Sequence, residues 1–214
     1  MVVGTYERFD PPAAIYAFRW VEGRGVERLP LGGADVVSYD GRVVAGPGGC
    51  CVARWVEGRG TEWVIHGVEF ADAKDISGDG RVIVGTYMRD RLANWHAFLW
   101  QEGRGWVDLN EAYAALLGEG WELEDAWGVS ADGRYVAGRG SHLVPGGRTG
   151  FYYLLDRRVL GDVDGDGCVE DGDLLAVLFA FGQTGSGLPE DVDEDGVVGE
   201  SDLVLVLLHF GRGC

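Results

Sequence analysis

The stretch Ser77-Gly-Asp-Gly-Arg-Val-Ile-Val-Gly85 recurs, with small changes, at two other places in the 214-residue chain. The other copies are Ser38-Tyr-Asp-Gly-Arg-Val-Val-Ala-Gly46 and Ser130-Ala-Asp-Gly-Arg-Tyr-Val-Ala-Gly138, so successive copies begin 39 and 53 residues apart. An Asp-Gly pair between short β-rich runs is typical of a hairpin, because glycine accepts the positive φ that a tight turn requires. The repeat therefore predicts a series of similar antiparallel units.

A second recurring phrase contains the turn Glu-Gly-Arg-Gly. Its copies are Ala17-Phe-Arg-Trp-Val-Glu-Gly-Arg-Gly25, Ala53-Arg-Trp-Val-Glu-Gly-Arg-Gly60, Ala97-Phe-Leu-Trp-Gln-Glu-Gly-Arg-Gly105 and the shorter Phe151-Tyr-Tyr-Leu-Leu-Asp-Arg-Arg158. A short apolar strand follows each copy, at 26–29, 62–65, 106–109 and 159–160. Each unit then has about four short antiparallel strands in ~40 residues, a length typical of β-propellers and related arrays.

The repeats resemble the HAF repeat of bacterial extracellular proteins, which is named for a His-Ala-Phe motif. The resemblance lies in His96-Ala-Phe-Leu-Trp100, Trp106-Val-Asp-Leu109 and Gly128-Val-Ser-Ala-Asp-Gly-Arg134. The first copy has Tyr16 in place of the histidine, and the second reads Val52-Ala-Arg-Trp55. The resemblance covers residues 1–160 and implies a β-propeller-like fold and export, with no catalytic residues.

The first repeat is incomplete. Met1-Val-Val-Gly-Thr-Tyr6 aligns with Val82-Ile-Val-Gly-Thr-Tyr87, so its Ser-x-Asp-Gly-Arg half is missing. We therefore expect a mainly β, propeller-like array of three full and one partial four-stranded blades, with a short helix over 110–118. Because a closed propeller needs a complete ring, the chain is either N-terminally truncated, which we favour, or leaves an open strand edge that another chain can pair with.

Acidic residues are concentrated at the end of the chain. Residues 162–214 contain 13 acidic residues and one basic residue, whereas 1–161 contain 22 acidic and 17 basic residues. This shift predicts a repeat domain over 1–160 and a second domain over 161–214. The net charge of −17 argues against nucleic acid as a partner. No run reaches 18 apolar residues, so we predict no membrane-spanning helix.

Two twelve-residue segments near the C-terminus match calcium-binding loops. In the first, carboxylates occupy positions 1, 3, 5 and 12, and position 7 offers its backbone carbonyl; these residues are Asp162, Asp164, Asp166, Asp173 and Cys168. The second loop begins 29 residues later and has Asp191, Asp193, Asp195, Asp202 and Val197 at the same positions. Gly167 and Gly196 occupy position 6, where such a loop turns sharply. The repeated pattern predicts two bound calcium ions, without which we expect the segment to be loose.

Helices are predicted after both loops, over 174–181 and 203–210, with none before them. Both are apolar nearly all round, so they must pack against each other or a partner. A duplicated loop and helix resembles a type I dockerin over 161–214. That family binds calcium and docks onto cohesin modules, with recognition residues near loop positions 10 and 11, which here are Asp171, Gly172, Glu200 and Ser201. These differ from the hydroxyl-containing pairs of cellulosomal dockerins, so the partner is a cohesin-like module, the chain's own repeat domain or another copy.

Four cysteines are present. Cys168 and Cys214 lie at the two ends of the calcium module, and the near-twofold symmetry of a duplicated unit predicts a disulfide between them. Such a bond indicates an oxidising compartment. Cys50 and Cys51 are adjacent and are either free thiols or a strained vicinal disulfide.

Histidines and tryptophans complete the candidate residues. None of the four histidines lies in a recognisable catalytic motif, and we expect His96 to pack within its repeat. Most of the eight tryptophans occupy strand phrases, where a role in the core is expected and sugar stacking is the alternative.

These patterns together favour a non-catalytic, secreted or cell-surface calcium-binding protein with a scaffold domain and an attachment module. Two alternatives stay open: a filament subunit that assembles through its open blade edge, and a carbohydrate-binding or carbohydrate-active protein.

Overall fold

The computed structural model describes residues 1–8, 14–90 and 94–213, and it confirms the predicted hairpins. The three Asp-Gly turns connect neighbouring strands, and their glycines, Gly41, Gly80 and Gly133, have φ values of +71°, +77° and +75°. A side chain at these positions would be strained, which explains why glycine recurs there. The Glu-Gly-Arg-Gly turns also connect antiparallel strands.

The chain is mainly β, with 45% strand and 12% helix, and its strands form four antiparallel sheets. Sheet 1 has the order β1-β2-β3, with β1 Val2–Arg8, β2 Ala14–Val21 and β3 Gly25–Leu29. Sheet 2 is formed by β4 Val36–Val37, β5 Val43–Pro47, β6 Val52–Val56 and β7 Gly60–Ile65. Sheet 3 is formed by β8 Phe70–Ile76, β9 Val82–Met88, β10 Trp95–Gln101 and β11 Gly105–Asp108. Sheet 4 is formed by β12 Trp121–Val129, β13 Tyr135–Val144 and β14 Gly147–Asp156.

The strand count differs from the prediction in sheet 4. Sheet 1 lacks a strand, as the alignment of Met1–Tyr6 predicted, but sheet 4 also has only three strands among the described residues. The expected last strand, Val159-Leu160, is not a strand. Its two side chains pack instead into the apolar core of the C-terminal unit, because that small unit needs their apolar surface. The array therefore has two full and two three-stranded sheets.

In each Ser-x-Asp-Gly-Arg phrase, the serine and aspartate side chains form the same set of hydrogen bonds around the turn. In the second copy, the Ser77 hydroxyl donates to Asp79 Oδ1 at 2.6 Å and accepts the Val82 N–H at 2.9 Å. Asp79 Oδ1 also accepts the Arg81 N–H at 2.9 Å. The copies at Ser38 and Ser130 make the same bonds. The phrase recurs because its polar side chains satisfy the amides of the turn.

Apolar side chains from successive sheets form three cores, one between sheets 1 and 2, one between sheets 2 and 3, and one between sheets 3 and 4. Their fully buried members include Ala17, Leu29, Val44, Ile65, Ile83, Phe98, Leu123 and Val136. The three cores lie between sheets that follow one another in the chain.

Two buried arginines connect these sheets, and the sequence analysis did not single them out. Arg54 of sheet 2 is 1% exposed, and its guanidinium lies 4.1 Å from the ring centroid of Trp100 in sheet 3. Its Nη2 is 3.0 Å from Glu102 Oε1, and its Nη1 donates to the Gly80 carbonyl at 3.1 Å. The guanidinium charge is thus compensated by Glu102 of the following sheet and by Glu62 of its own sheet, whose Oε1 lies 2.7 Å from Nη2.

Arg19 makes the equivalent contacts from sheet 1 to sheet 2. Its guanidinium lies 4.5 Å from the Trp55 ring centroid, and its Nη2 is 2.8 Å from Glu57 Oε1. Its Nη1 donates to the Gly41 carbonyl at 3.3 Å. The arginine of each Phe-Arg-Trp or Ala-Arg-Trp phrase therefore links its sheet to the tryptophan of the next copy of the phrase.

The predicted helix over 110–118 is shorter than expected. Helix α1 spans Leu109–Ala112, and turns continue to residue 117. The Asp108 carboxylate caps α1 by accepting the Asn110 N–H at 2.7 Å. Asn110 is thereby placed to bond both backbone groups of Leu123 in β12.

The chain divides after Asp156 into two units, Met1–Asp156 and Arg157–Cys214. This division lies four residues before the predicted boundary. The second unit contains α2 Asp171–Ala180 and α3 Glu200–His209. Among the residues that the structure describes, no helix is long and apolar enough to span a membrane.

Candidate metal centre

The first three aspartates of each predicted loop lie together. Carboxylate oxygens of Asp162, Asp164 and Asp166 all lie within 4.8 Å of one another, and the same is true of Asp191, Asp193 and Asp195. Two clusters with the same sequence spacing therefore have the same geometry, although they arise from separate parts of the chain.

Backbone conformation brings these carboxylates together. At position 6, Gly167 and Gly196 have φ values of +89° and +91°, and this left-handed conformation turns the chain back. At position 7 the backbone N–H groups of Cys168 and Val197 donate to the carboxylates at position 5, at 2.7 and 2.8 Å. Hydrogen bonds from the backbone N–H groups of each loop therefore hold its aspartate side chains in place.

The aspartates at position 12, Asp173 and Asp202, are fully buried and lie outside the clusters of three. Asp202 Oδ1 accepts the N–H groups of Val192 and Asp193, at 2.6 and 3.1 Å, and its Oδ2 accepts the Gly199 N–H at 2.7 Å. Asp173 makes the three equivalent bonds in the first loop. Each carboxylate therefore ties the two ends of its loop together.

These carboxylates also explain where the helices begin. Asp173 and Asp202 are the third residues of α2 and α3, and each accepts the N–H of the residue before its helix. Such bonds satisfy amides at a helix N-terminus. The helices consequently begin at 171 and 200, three residues before the predicted starts.

The electrostatics of the first loop favour a bound cation. Asp162 Oδ1 is buried and has no hydrogen-bond partner. The pKa of Asp162 is raised to about 6, chiefly by burial and also by the charges of Asp173, Asp166 and Asp164, although a hydrogen bond from the Gly167 N–H opposes this. A divalent cation would remove both the desolvation penalty and the repulsion.

The donor set of each cluster fits a hard cation. Its side-chain donors are carboxylate oxygens, which calcium and magnesium prefer, and the clusters lack the nitrogen and sulfur donors typical of zinc sites. Asp162, whose Oδ1 has no hydrogen-bond partner, belongs to the first of these clusters. The residues present therefore fit the predicted calcium ions.

Reciprocal backbone bonds relate the two loops. The Val169 N–H, after position 7 of the first loop, donates to the Arg212 carbonyl beyond α3 at 2.9 Å. The Val198 N–H of the second loop donates to the Gln183 carbonyl beyond α2, also at 2.9 Å. Each loop thus pairs with the end of the other loop's helix, which gives the unit a near-twofold arrangement.

The predicted disulfide remains a prediction, because Cys214 lies outside the described residues. Its predicted partner, Cys168, is buried. The neighbouring pair Val169 and Arg212 is hydrogen-bonded, and the backbone of Gly213 lies against that of Gly167. The described residues beside the two cysteines are therefore close together.

The four predicted partner-binding residues lie at the helix N-termini. Asp171 and Glu200 are the first residues of α2 and α3 and are exposed; Ser201 is exposed, and Gly172 is half-buried. Apolar side chains continue the exposed surface along both helices, and they include Leu175, Leu178, Phe179, Val204, Leu207 and Leu208.

A buried polar network in sheet 3 includes the predicted structural histidine. His96 is 7% exposed, and its Nδ1 lies 2.7 Å from Asp108 Oδ2, which also accepts the Tyr87 hydroxyl at 2.7 Å. This confirms that His96 packs within its repeat. Its carboxylate partner, Asp108, lies in the Trp106-Val-Asp-Leu109 segment that carries part of the HAF resemblance.

No family model matches the chain, and no curated protein matches it. Among solved structures, it is similar to the crystal structure of TolB from Acinetobacter baumannii, with 19% sequence identity and a TM-score of 0.41. The match covers 71% of this chain and 37% of that one, so the chain spans little more than a third of that protein's length.

Proposed function

We propose that this chain is a non-catalytic, calcium-binding protein of the cell surface or extracellular space, with a β-propeller-like scaffold and a dockerin-like attachment module. The observation that carries the proposal is the pair of aspartate clusters with one spacing and one geometry, including the orphaned oxygen of Asp162. The HAF and dockerin resemblances support the same assignment.

Calcium has a structural role in this proposal. Three carboxylates within 4.8 Å repel one another, and the repulsion amounts to a few kcal/mol per pair at an effective dielectric constant of about 20. Each ion turns that repulsion into attraction and holds the start of α2 or α3 in place. The apolar surfaces of these two helices are then presented for attachment.

Attachment to a protein partner is supported by the surface of α2 and α3. Phe179 is 84% exposed and Leu208 is 70% exposed, and they occupy equivalent positions 29 residues apart. Large exposed apolar side chains grouped on one small unit are typical of interaction sites. The exposed Asp171 and Glu200 lie at the beginnings of the same helices.

Titration calorimetry of the full chain tests calcium binding. After treatment with a chelator, the protein should bind two calcium ions per chain. Asp164→Asn and Asp193→Asn should each weaken one of the two binding events, whereas Glu190→Gln, an acidic position outside both clusters, should leave both unchanged. Binding of no calcium by the wild-type chain would refute the proposal.

Self-assembly is the second candidate, and sheet 1 favours it. Tyr6 and Trp20 of sheet 1 are 42% and 39% exposed, whereas their counterparts Tyr87 and Trp100 in sheet 3 are each 5% exposed. Among the described residues, sheet 1 thus presents exposed aromatic side chains that another chain could contact.

Sedimentation velocity over a range of concentrations distinguishes the two candidates. If the chain assembles, its mean sedimentation coefficient should rise with concentration, and Trp20→Ser should weaken this rise. Trp63→Ser, at an exposed tryptophan of sheet 2, is the matched control. A wild-type chain that remains monomeric throughout would exclude self-assembly.

A further inference from the structure

The turn between β5 and β6 contains a pair of thiols that the calcium and attachment roles do not use. This turn comprises residues 48–51, and the Sγ atoms of Cys50 and Cys51 lie 2.8 Å apart. That separation is within about 0.8 Å of a disulfide bond of about 2.05 Å. Both residues are free cysteines.

The two thiols differ in their surroundings. Cys50 is exposed, whereas Cys51 is 3% exposed, and its Sγ donates to the Val68 carbonyl at 3.5 Å. Burial, together with the hydrogen bond to Cys50, raises the pKa of the Cys51 thiol. An external reagent therefore reaches Cys50 first, because the thiolate must be both formed and accessible to react.

The backbone of this pair also links two sheets. The Cys50 carbonyl accepts the N–H of Ala71, which belongs to β8 of sheet 3, at 3.0 Å. The Cys51 carbonyl accepts the Gly48 N–H at 2.8 Å and thereby closes the turn. A change in the covalent state of the thiols would act on both bonds.

We propose that Cys50 and Cys51 form a redox-active dithiol that small-molecule disulfides oxidise to a vicinal disulfide. The Cys50 thiolate attacks the external disulfide, forms a mixed disulfide and releases one thiolate of the reagent. The Cys51 thiolate then attacks the Cys50 sulfur and releases the second. Two thiol protons and two electrons leave the protein, and the reagent disulfide is reduced to two thiols.

The structure assigns different roles to the two cysteines in this sequence of steps. Cys50 is the attacking thiol because it is exposed, and Cys51 is the resolving thiol because its sulfur already lies beside that of Cys50. Ring closure must reorient the peptide between them, since the two residues are adjacent. The bond from the Ala71 N–H to the Cys50 carbonyl should weaken as a result.

Mass spectrometry of the full chain treated with glutathione disulfide tests the proposal. The wild type should lose two hydrogen atoms in the peptide that contains residues 50 and 51 and should retain no glutathione. Cys51→Ser should stop at the mixed disulfide and retain one glutathione at Cys50. Cys50→Ser should react at least tenfold more slowly, because only the buried thiol remains.

A trivalent arsenical provides a test that needs no variant. Phenylarsine oxide bridges two adjacent thiols, so a protein pretreated with it should resist oxidation by glutathione disulfide. Hydrogen exchange at the Ala71 N–H should accelerate on oxidation and return after reduction. The proposal is overturned if the wild type retains glutathione at Cys50, or if neither thiol reacts under native conditions.

Discussion

The guanidinium of Arg54 lies 4.1 Å from the ring centroid of Trp100, across the boundary between sheets 2 and 3. The two residues are 46 positions apart in the chain, yet each belongs to the same recurring phrase of its repeat. The contact therefore joins equivalent segments of two successive repeats. A cation above an aromatic ring combines with an ion pair to Glu102, so that a buried charge is accommodated at the junction.

Replacement of Arg54 by alanine should destabilise the repeat domain. The substitution leaves a cavity beside Trp100 and removes a buried cation from Glu62 and Glu102, so we expect a loss of about 2–3 kcal/mol. All eight tryptophans lie within residues 1–161, so their fluorescence during urea denaturation reports this domain. Arg59 contacts the same Glu102 but is exposed, and Arg59→Ala should cost under about 1 kcal/mol. Equal losses in the two variants would contradict the role of the buried guanidinium.

Asp202 and Asp193 should have separable roles in the second calcium loop. Asp202→Asn removes an acceptor from the Gly199 N–H and should destabilise α3 by about 2 kcal/mol even in chelator. Asp193 lies in the carboxylate cluster, so Asp193→Asn should reduce stability only when calcium is present. Hydrogen exchange of the α3 amides, with calcium and with chelator, measures both effects. The distinction is wrong if chelator leaves the effect of Asp193→Asn unchanged.

The Asp108 network should make the repeat domain sensitive to acid. Burial alone would raise the pKa of Asp108, but bonds from His96, Tyr87 and the Asn110 N–H outweigh it and lower the pKa to about 2. An unfolded aspartate has a pKa of about 3.9. The stabilisation is thus complete above about pH 4 and is lost as pH falls towards the folded pKa.

Comparison of the wild type with Asp108→Asn isolates this contribution. The variant should be less stable by about 2 kcal/mol at neutral pH, and the difference should shrink as pH approaches about 2. Urea denaturation at a series of pH values, followed by tryptophan fluorescence, measures the difference. A gap that stays constant down to pH 2 would show that the carboxylate charge is not responsible.

The predicted disulfide can be tested in a chain that lacks the dithiol. When Cys50→Ser and Cys51→Ser are combined and the protein is produced in an oxidising compartment, the denatured, unreduced chain should contain no free thiol. A bond between Cys168 and Cys214 closes a loop of 47 residues. It should stabilise the module by about 4 kcal/mol in the chain-entropy model. Two free thiols in that chain would rule out a bond between Cys168 and Cys214.

Local features of this protein could be predicted from the sequence because short segments determine them. The Asp-Gly and Glu-Gly-Arg-Gly turns need left-handed glycines whatever surrounds them, so the hairpins were predicted correctly. The aspartate triads follow in the same way from alternating carboxylates before a glycine at position 6. The hydrogen bonds of Ser77 in this turn join residues that are at most five positions apart in the chain.

Tertiary structure alone decided which distant groups meet. Arg19 and Arg54 reach partners in the next sheet in addition to a glutamate of their own sheet, and Val159 and Leu160 leave the expected strand for the core of the second unit. Each outcome depends on burial: a charge, an apolar side chain or a backbone amide removed from water takes the partner that the fold places beside it. Sequence spacing does not encode that choice, because these partners lie in another repeat or in the second unit.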